Sequence, residues 1–294
     1  MNVSRPIGVF DSGVGGLSIL REIRRELPNE DLVYVADSGH APYGERSEEF
    51  VAARSVAVVE FLLRRKAKAI VVACNTATGA AVTALRSRFP VPIVAIEPAV
   101  KPAAQATRSG VVGVLATRRT LCSENFQRLL TRHSADVEIL AQACPGLVER
   151  VEAGALNDDG TRALLERYVA PLLQRGADTL VLGCTHYPFL APLLRDLAGP
   201  AVALVDPALA VARQLRRRLE QHGIGSQADR PGKEEFWTSG SPTHARVLVS
   251  RLWGTLVEVR ELPASFRDPG PWREDRSALA ESECRLQAAS PIHI

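Results

Sequence analysis

Short runs that are apolar at every position, each followed by a longer stretch with helical spacing, recur along most of this chain and leave few folds open to it. The runs fall at residues 7–10, 32–36, 69–73, 93–96, 111–115, 137–140, 179–182 and 201–205. A strand with one wet face alternates apolar and polar residues, whereas an unbroken apolar run suits a strand covered on both faces. Between the runs, Leu17, Leu20, Arg24 and Leu27 return at helical intervals, as do Val51, Val58, Leu62 and Leu63, and then Ala81, Val82, Leu85 and Phe89. Such alternation predicts an α/β fold of doubly wound, mainly parallel sheets.

The pattern also runs twice. Ile7-Gly8-Val9-Phe10-Asp11-Ser12-Gly13 is matched by Val112-Gly113-Val114-Leu115-Ala116-Thr117, each a strand that gives way to a small polar loop and a helix. A strand–Cys–Thr unit follows each copy after about 65 residues, at Cys74 and at Cys184. Two copies of one plan predict two pseudo-symmetric domains with the active site in the cleft between them. The expected division is residues 1–97 plus 208–262 for the first domain and 98–207 for the second. Residues 208–219 read as a helix, and 236–238 and 256–259 as late strands that return to the first domain. Residues 263–294, rich in Pro, Ser and Arg, read as a polar, loosely structured tail.

Bulk properties narrow the function class. With 294 residues, 46% hydrophobic and 23% charged, the chain can bury two modest cores. Its net charge of +3, with arginines scattered over helix surfaces, argues against a nucleic-acid or membrane partner. The N-terminus lacks the apolar core of a signal peptide, and no apolar stretch approaches the ~20 residues that span a bilayer. A cytoplasmic protein is expected, with its five cysteines reduced. The absence of a CxxC pair weakens zinc-ribbon and thioredoxin readings.

Ligands of open parallel sheets bind beyond the C-terminal ends of the strands. Asp11-Ser12, Cys74-Asn75-Thr76, Thr117 and Cys184-Thr185-His186 all stand at such ends. If the copies face each other, Cys74 and Cys184 approach one ligand from opposite sides. Two opposed proton-transfer groups suit inversion at an acidic carbon, one thiolate taking a proton from one face while a thiol returns one to the other. Asp11 is the expected partner of Cys74, and His186 that of Cys184. The glycines of Asp11-Ser12-Gly13-Val14-Gly15-Gly16 fail the dinucleotide fingerprint, because the third would fall at Ser18; they are expected to admit a small anion to backbone N–H groups at a helix start. Tyr43-Gly44, after Ala41-Pro42, reads as a turn. Cys122 and Cys144 read as small buried hydrophobes, and His40 and His133 as surface residues. A zinc site built on Cys74, Cys184 and His186 is the minority alternative, since it lacks a fourth ligand.

Taken in order, Phe10-Asp11-Ser12-Gly13-Val14-Gly15-Gly16, Pro42-Tyr43-Gly44, Ala73-Cys74-Asn75-Thr76-Ala77 and Gly183-Cys184-Thr185-His186-Tyr187-Pro188 carry a specific resemblance. Over roughly residues 5–262 the chain resembles the glutamate racemases of the cofactor-independent aspartate/glutamate racemase superfamily. The resemblance implies interconversion of L- and D-glutamate without cofactor or metal, supplying D-glutamate for peptidoglycan. It implies that Cys74 exchanges the proton of the D isomer and Cys184 that of the L isomer, assisted by Asp11 and His186. Ser12, Pro42, Tyr43, Gly44, Asn75, Thr76 and Thr185 match substrate-binding segments, and Thr117 lies in the matching second-copy loop. Glu152 matches a glutamate placed near the catalytic histidine, although the preceding segment Cys144-Pro145-Gly146-Leu147-Val148-Glu149-Arg150 lacks the family's usual aromatic and second proline. Members often form homodimers, so a homodimer is carried over as an expectation.

Overall fold

Every strand pair is parallel, and the strands form two separate sheets. This is a computed structural model, and it describes residues 4–133 and 137–267. One sheet contains β1 (Ile7–Asp11), β2 (Leu32–Ala36), β3 (Ala69–Val72), β4 (Ile93–Ala95), β9 (Glu234–Thr238) and β10 (Val259–Glu261). The other contains β5 (Val111–Ala116), β6 (Glu138–Ala143), β7 (Thr179–Leu182) and β8 (Ala203–Val205). Their orders are β10-β9-β2-β1-β3-β4 and β6-β5-β7-β8. Apart from the added β9 and β10, the orders match strand for strand, so the sequence repeat is also a repeat of topology.

The repeat extends to register. Gly8 pairs with Ile70 across β1 and β3, and Gly113 pairs with Leu180 across β5 and β7. A Cβ on Gly8 would lie 3.0 Å from side-chain atoms of Ile70 and Leu62; one on Gly113 would lie 2.6 Å from Leu180 and 2.9 Å from Leu172. Both glycines thus leave room for a covering helix, Glu48–Arg64 in one copy and Asp159–Gln174 in the other. β1, β2, β3 and β7 are buried throughout, as their unbroken apolarity predicts.

The chain changes sheet between β4 and helix Val100–Ala106, which packs against β5 and β7. It returns through helix Ala208–Gln221, which packs on helix Leu17–Glu26. One apolar cluster joins Ile7 and Val71 of the first sheet to Leu115 and Leu182 of the second, so the halves share a seam. No helix among the described residues is long and apolar enough to cross a membrane.

Three expectations are corrected, each for a physical reason. β6 begins at Glu138 and runs on to Ala143 with a half-exposed face, because it is an edge strand and does not need continuous apolarity. The late strand lies at Val259–Glu261 rather than 256–259: Leu256 sits in the turn after left-handed Gly254 and is 79% exposed. The polar tail does not begin at Pro263. Helix Ala264–Arg267 follows it, with Phe266 buried edge-on against Phe61 and covered by the Arg64 guanidinium. Residues 268–294, including Cys284, lie outside the described residues.

The cysteines divide. Cys74, Cys144 and Cys184 are free and buried. Cys122, expected to be a small buried hydrophobe, is instead exposed, at the end of the short helix Arg118–Cys122.

Candidate active site

In a sheet of order 2-1-3-4 the connections reverse direction between the first and third strands, and that switch point is where such sheets bind ligands. Here two switch points face each other. The ends of β1, β3, β5 and β7 surround one cavity with about 260 Å³ free of protein atoms. Of the residues expected at the site, Ser12, Pro42, Tyr43, Gly44, Cys74, Asn75, Thr76, Thr117, Cys184, Thr185 and His186 line it. Asp11 and Glu152 stand behind that lining. Sequence reasoning missed Thr120, Val148 and Gly183, which complete the wall.

Cys74 caps helix Asn75–Arg88, its sulfur accepting from the Ala77 N–H at 3.4 Å and lying 3.7 Å from Ser12 Oγ. Burial, followed by the negative charge of Asp11, pushes this thiol up, against the opposing pull of the Ala77 and Ser12 bonds. Asp11 directs its own hydrogen bonds elsewhere. Its carboxylate accepts from the Gly16 N–H at 2.8 Å and lies 3.3 Å from the Thr185 hydroxyl through both oxygens. Burial raises the Asp11 carboxyl, and the nearby His186 charge lowers it.

On the other side, Cys184 Sγ lies 3.7 Å from His186 Nδ1, and His186 Nε2 donates to Glu152 Oε1 at 2.7 Å. Burial alone would lower the His186 pKa. Its hydrogen bonds to Cys184 and Glu152 outweigh burial and lift it well above the ordinary imidazole value. Glu152 is held in turn: Oε1 also accepts from the Val14 N–H at 2.6 Å, and Oε2 accepts from the Ser38 hydroxyl at 3.1 Å. The glycine loop does bring backbone N–H groups to anions, but these are the protein's own carboxylates: the Val14 N–H reaches Glu152 and the Gly16 N–H reaches Asp11.

The same contacts explain the glycines. A Cβ on Gly13 would fall 2.0 Å from Glu152 Oε1, and one on Gly15 would fall 2.3 Å from His186 Nδ1. Gly183 passes so close to the Leu115 carbonyl that its Cβ would lie 2.8 Å from that oxygen. Gly15→Ala is therefore expected to displace the imidazole and to lower turnover about a hundredfold, the usual consequence of an ångström-scale misplacement of a reacting group. A steady-state rate within threefold of the parent would contradict it.

Asn75 is buried, and neither its amide nitrogen nor its amide oxygen has a partner among the described residues. Unsatisfied amide atoms at a cavity wall are groups waiting for a ligand. Thr76, Thr117 and Thr120 form a triangle of hydroxyls 2.9–3.2 Å apart, joining the two halves across the cavity. The Ala41-Pro42 peptide bond is cis. It leads into the Tyr43 turn, whose hydroxyl donates to Asp37.

Asp37, Arg54 and His40 were not expected near the site. Arg54 Nη2 and Nε donate to the two Asp37 oxygens at 2.7 and 3.0 Å, and His40 Nδ1 lies 3.1 Å from Asp37. His40 is thus a partner in a buried cluster rather than a surface residue. Burial acts to raise the Asp37 carboxyl, but the bonds from His40 and Arg54 hold it below the ordinary range. Because the folded value is depressed, the stabilisation is present above the usual carboxylate pKa and is lost as pH falls through the lower folded value. Arg54→Met leaves that carboxylate buried and unpaired and is expected to cost about 3–5 kcal/mol in urea unfolding at pH 7. That cost should shrink as Asp37 becomes protonated in acid.

Among the described residues no group of three or more His, Cys, Asp or Glu side chains is placed to hold a metal ion. Residues 7–215 match the family model described as Asp/Glu/Hydantoin racemase. The chain is 57% identical over 261 residues to the glutamate racemase of Methylococcus capsulatus, covering 89% of this chain and 96% of that one. Among solved structures it resembles the glutamate racemase isoform RacE1 of Bacillus anthracis, at 34% identity and TM-score 0.81, over 88% of this chain and 97% of that one. It likewise resembles Escherichia coli glutamate racemase in complex with L-glutamate and the activator UDP-MurNAc-Ala, at 35% identity and TM-score 0.78, over 88% and 98% of the two chains.

Proposed function

The chain belongs to the Asp/Glu/Hydantoin racemase family, and from that premise we propose that it interconverts L- and D-glutamate by proton transfer between the α carbon and two cysteines. The observation that carries this reading is the placement of Cys74 and Cys184 on one cavity, at equivalent strand ends of a repeated sheet. In the proposed reaction the substrate lies between the sulfurs. With L-glutamate, the Cys184 thiolate takes the α proton and leaves the electron pair on the α carbon and its carboxylate. The Cys74 thiol then delivers a proton to the opposite face, giving D-glutamate, a neutral Cys184 and a Cys74 thiolate. The reverse reaction exchanges the roles.

The surroundings support that division of labour. An imidazole held in its charged form faces the Cys184 sulfur, while burial and the Asp11 charge favour the neutral thiol at Cys74. The free amide of Asn75, at the start of a 14-residue helix, is suited to receive a substrate carboxylate. Asp11 acts through Thr185, which it orients from behind. Residues 1–97 with 208–262 and residues 98–207 are taken as the two units that bracket the substrate. The product D-glutamate would serve peptidoglycan synthesis in the cytoplasm, as the resemblance implies.

Optical rotation of L-glutamate, and in parallel L-aspartate, should be followed with purified protein, with and without a chelator. Loss of rotation with L-glutamate that is indifferent to chelator is expected. Racemisation of aspartate alone would reassign the substrate, and no change with either amino acid would end the racemase reading.

A further inference from the structure

We propose that Arg54, buried beneath the cavity wall and joined to it through Asp37 and Tyr43, is a positioning residue that sets substrate affinity. The inference rests on the racemase reading of the cavity. Arg54 is 1% exposed and sits on the apolar stripe of helix Glu48–Arg64, between Val51 and Val58. A buried ion pair is weak evidence of a stabilising role, because apolar residues of the same volume often serve stability as well or better. Its geometry indicates something else.

Asp37 directly follows β2 and opens segment 37–44. The Arg54 fork fixes the orientation of its carboxylate, and that carboxylate accepts from the Tyr43 hydroxyl at the far end of the segment. The segment is thus folded back on one ion pair. A third guanidinium donor, Nη1, bonds the Arg267 carbonyl at 3.2 Å, so the fork is braced from the last described helix as well. Two parts of the segment reach the site. Ser38 holds Glu152, and Tyr43-Gly44 forms cavity wall, packed so tightly that a Cβ on Gly44 would lie 2.9 Å from Thr117.

A wall that contacts both enantiomers alike contributes equally to ground-state and transition-state binding. Disturbing it raises KM and leaves kcat nearly unchanged. Lysine in place of Arg54 keeps the charge but cannot reproduce a planar two-pronged contact. Arg54→Lys is therefore expected to raise KM for both L- and D-glutamate about tenfold, with kcat changed less than about threefold. Because enantiomers are equal in free energy, kcat/KM must fall by the same factor in both directions, which checks the measurement internally.

Tyr43→Phe, which keeps the ring in the wall and removes only the hydroxyl that Asp37 holds, should raise KM in the same sense by a smaller factor. It decides the matter if Arg54→Lys does not fold. Calorimetric titration with racemic glutamate gives the affinity apart from the rate, because interconversion of enantiomers of equal enthalpy adds no heat. If the parent binds glutamate without racemising it, the functional reading fails while the weaker binding of Arg54→Lys still supports the positioning role. A folded Arg54→Lys or Tyr43→Phe protein with unaltered KM and affinity, losing activity only in proportion to its folded fraction, would overturn it.

Discussion

Cys74→Ser and Cys184→Ser should each slow racemisation about a thousandfold or more, because a hydroxyl is far too weak an acid to replace a thiol in proton transfer near neutral pH. The more informative result is what survives. In deuterated water, Cys74→Ser retains Cys184 and its imidazole, so it should still wash the α proton out of L-glutamate and return a deuteron to the same face. Cys184→Ser should do the same with D-glutamate. Each variant exchanges one enantiomer without inverting it, and the exchanged enantiomer switches between them. Nuclear magnetic resonance of the α position, read beside chiral chromatography, separates exchange from inversion. Undiminished racemisation by either variant would sink the two-thiol scheme, since one remaining sulfur reaches only one face of the carbon.

The second large effect belongs to His186 and Glu152. His186→Asn removes the cation that faces Cys184 and should lower kcat/KM about a hundredfold, the low end of what a positioned acid–base group contributes. The pH dependence carries the sign. In the folded protein His186 holds its proton more tightly than free imidazole, so its charge persists above pH ~6.5 and is lost as pH rises through the higher folded value. Activity that depends on that charge should hold through neutrality and decline on the alkaline side. Glu152→Gln weakens one of the bonds that retain the proton, and the alkaline decline should then move to lower pH. A decline left in place by Glu152→Gln would detach the carboxylate from the histidine's protonation. The same folded-state shift contributes stability that is complete below the unfolded imidazole pKa and disappears through the alkaline folded value, so unfolding midpoints of parent and His186→Asn should converge at high pH.

The site's reacting groups were legible because they sit at strand ends, and strand ends can be read from where apolar runs stop. Cys74 follows such a run directly and Cys184 one residue after another, and the repeat makes them equivalent in the sequence. Their supports were harder to read. Arg54 carried a local signal, a cation on the apolar stripe of a helix, but nothing nearby in the chain announced its partner. Asp37 directly follows the apolar run of β2 as Asp11 follows that of residues 7–10, and that parallel was available in the sequence. Ser38 and Thr120 had no signal beyond being small polar residues beside a strand or helix end.

The glycine loop shows how a correct local inference can lack its object. Its composition indicated backbone N–H groups open to an anion, and Gly13 and Gly15 do make that approach possible. One such anion is Glu152, 138 residues further along the chain from Val14. Glu152 arrives there although the segment before it departs from the family pattern. Left-handed Gly146 starts helix Leu147–Glu152, and Arg251 and His244 bond the Gly154 and Glu152 carbonyls just beyond it.

By itself the sequence determined the α/β class, the doubled plan, the covered central strands and the two thiols, because each is written in local periodicity or in residue chemistry at a strand end. The resemblance had already set Glu152 beside the histidine, but only the tertiary structure decided the other carboxylate partners: Glu152 on the glycine loop and Ser38, Asp11 on Thr185, and Asp37 on Arg54 and Tyr43. It also decided that Cys122 faces outward and that the chain's last described turn packs on Phe61. Those outcomes depend on segments far apart in the chain meeting at hydrogen-bond distance. A polar side chain commits to whichever donor the packing brings to it, since leaving it buried and unpaired is costly.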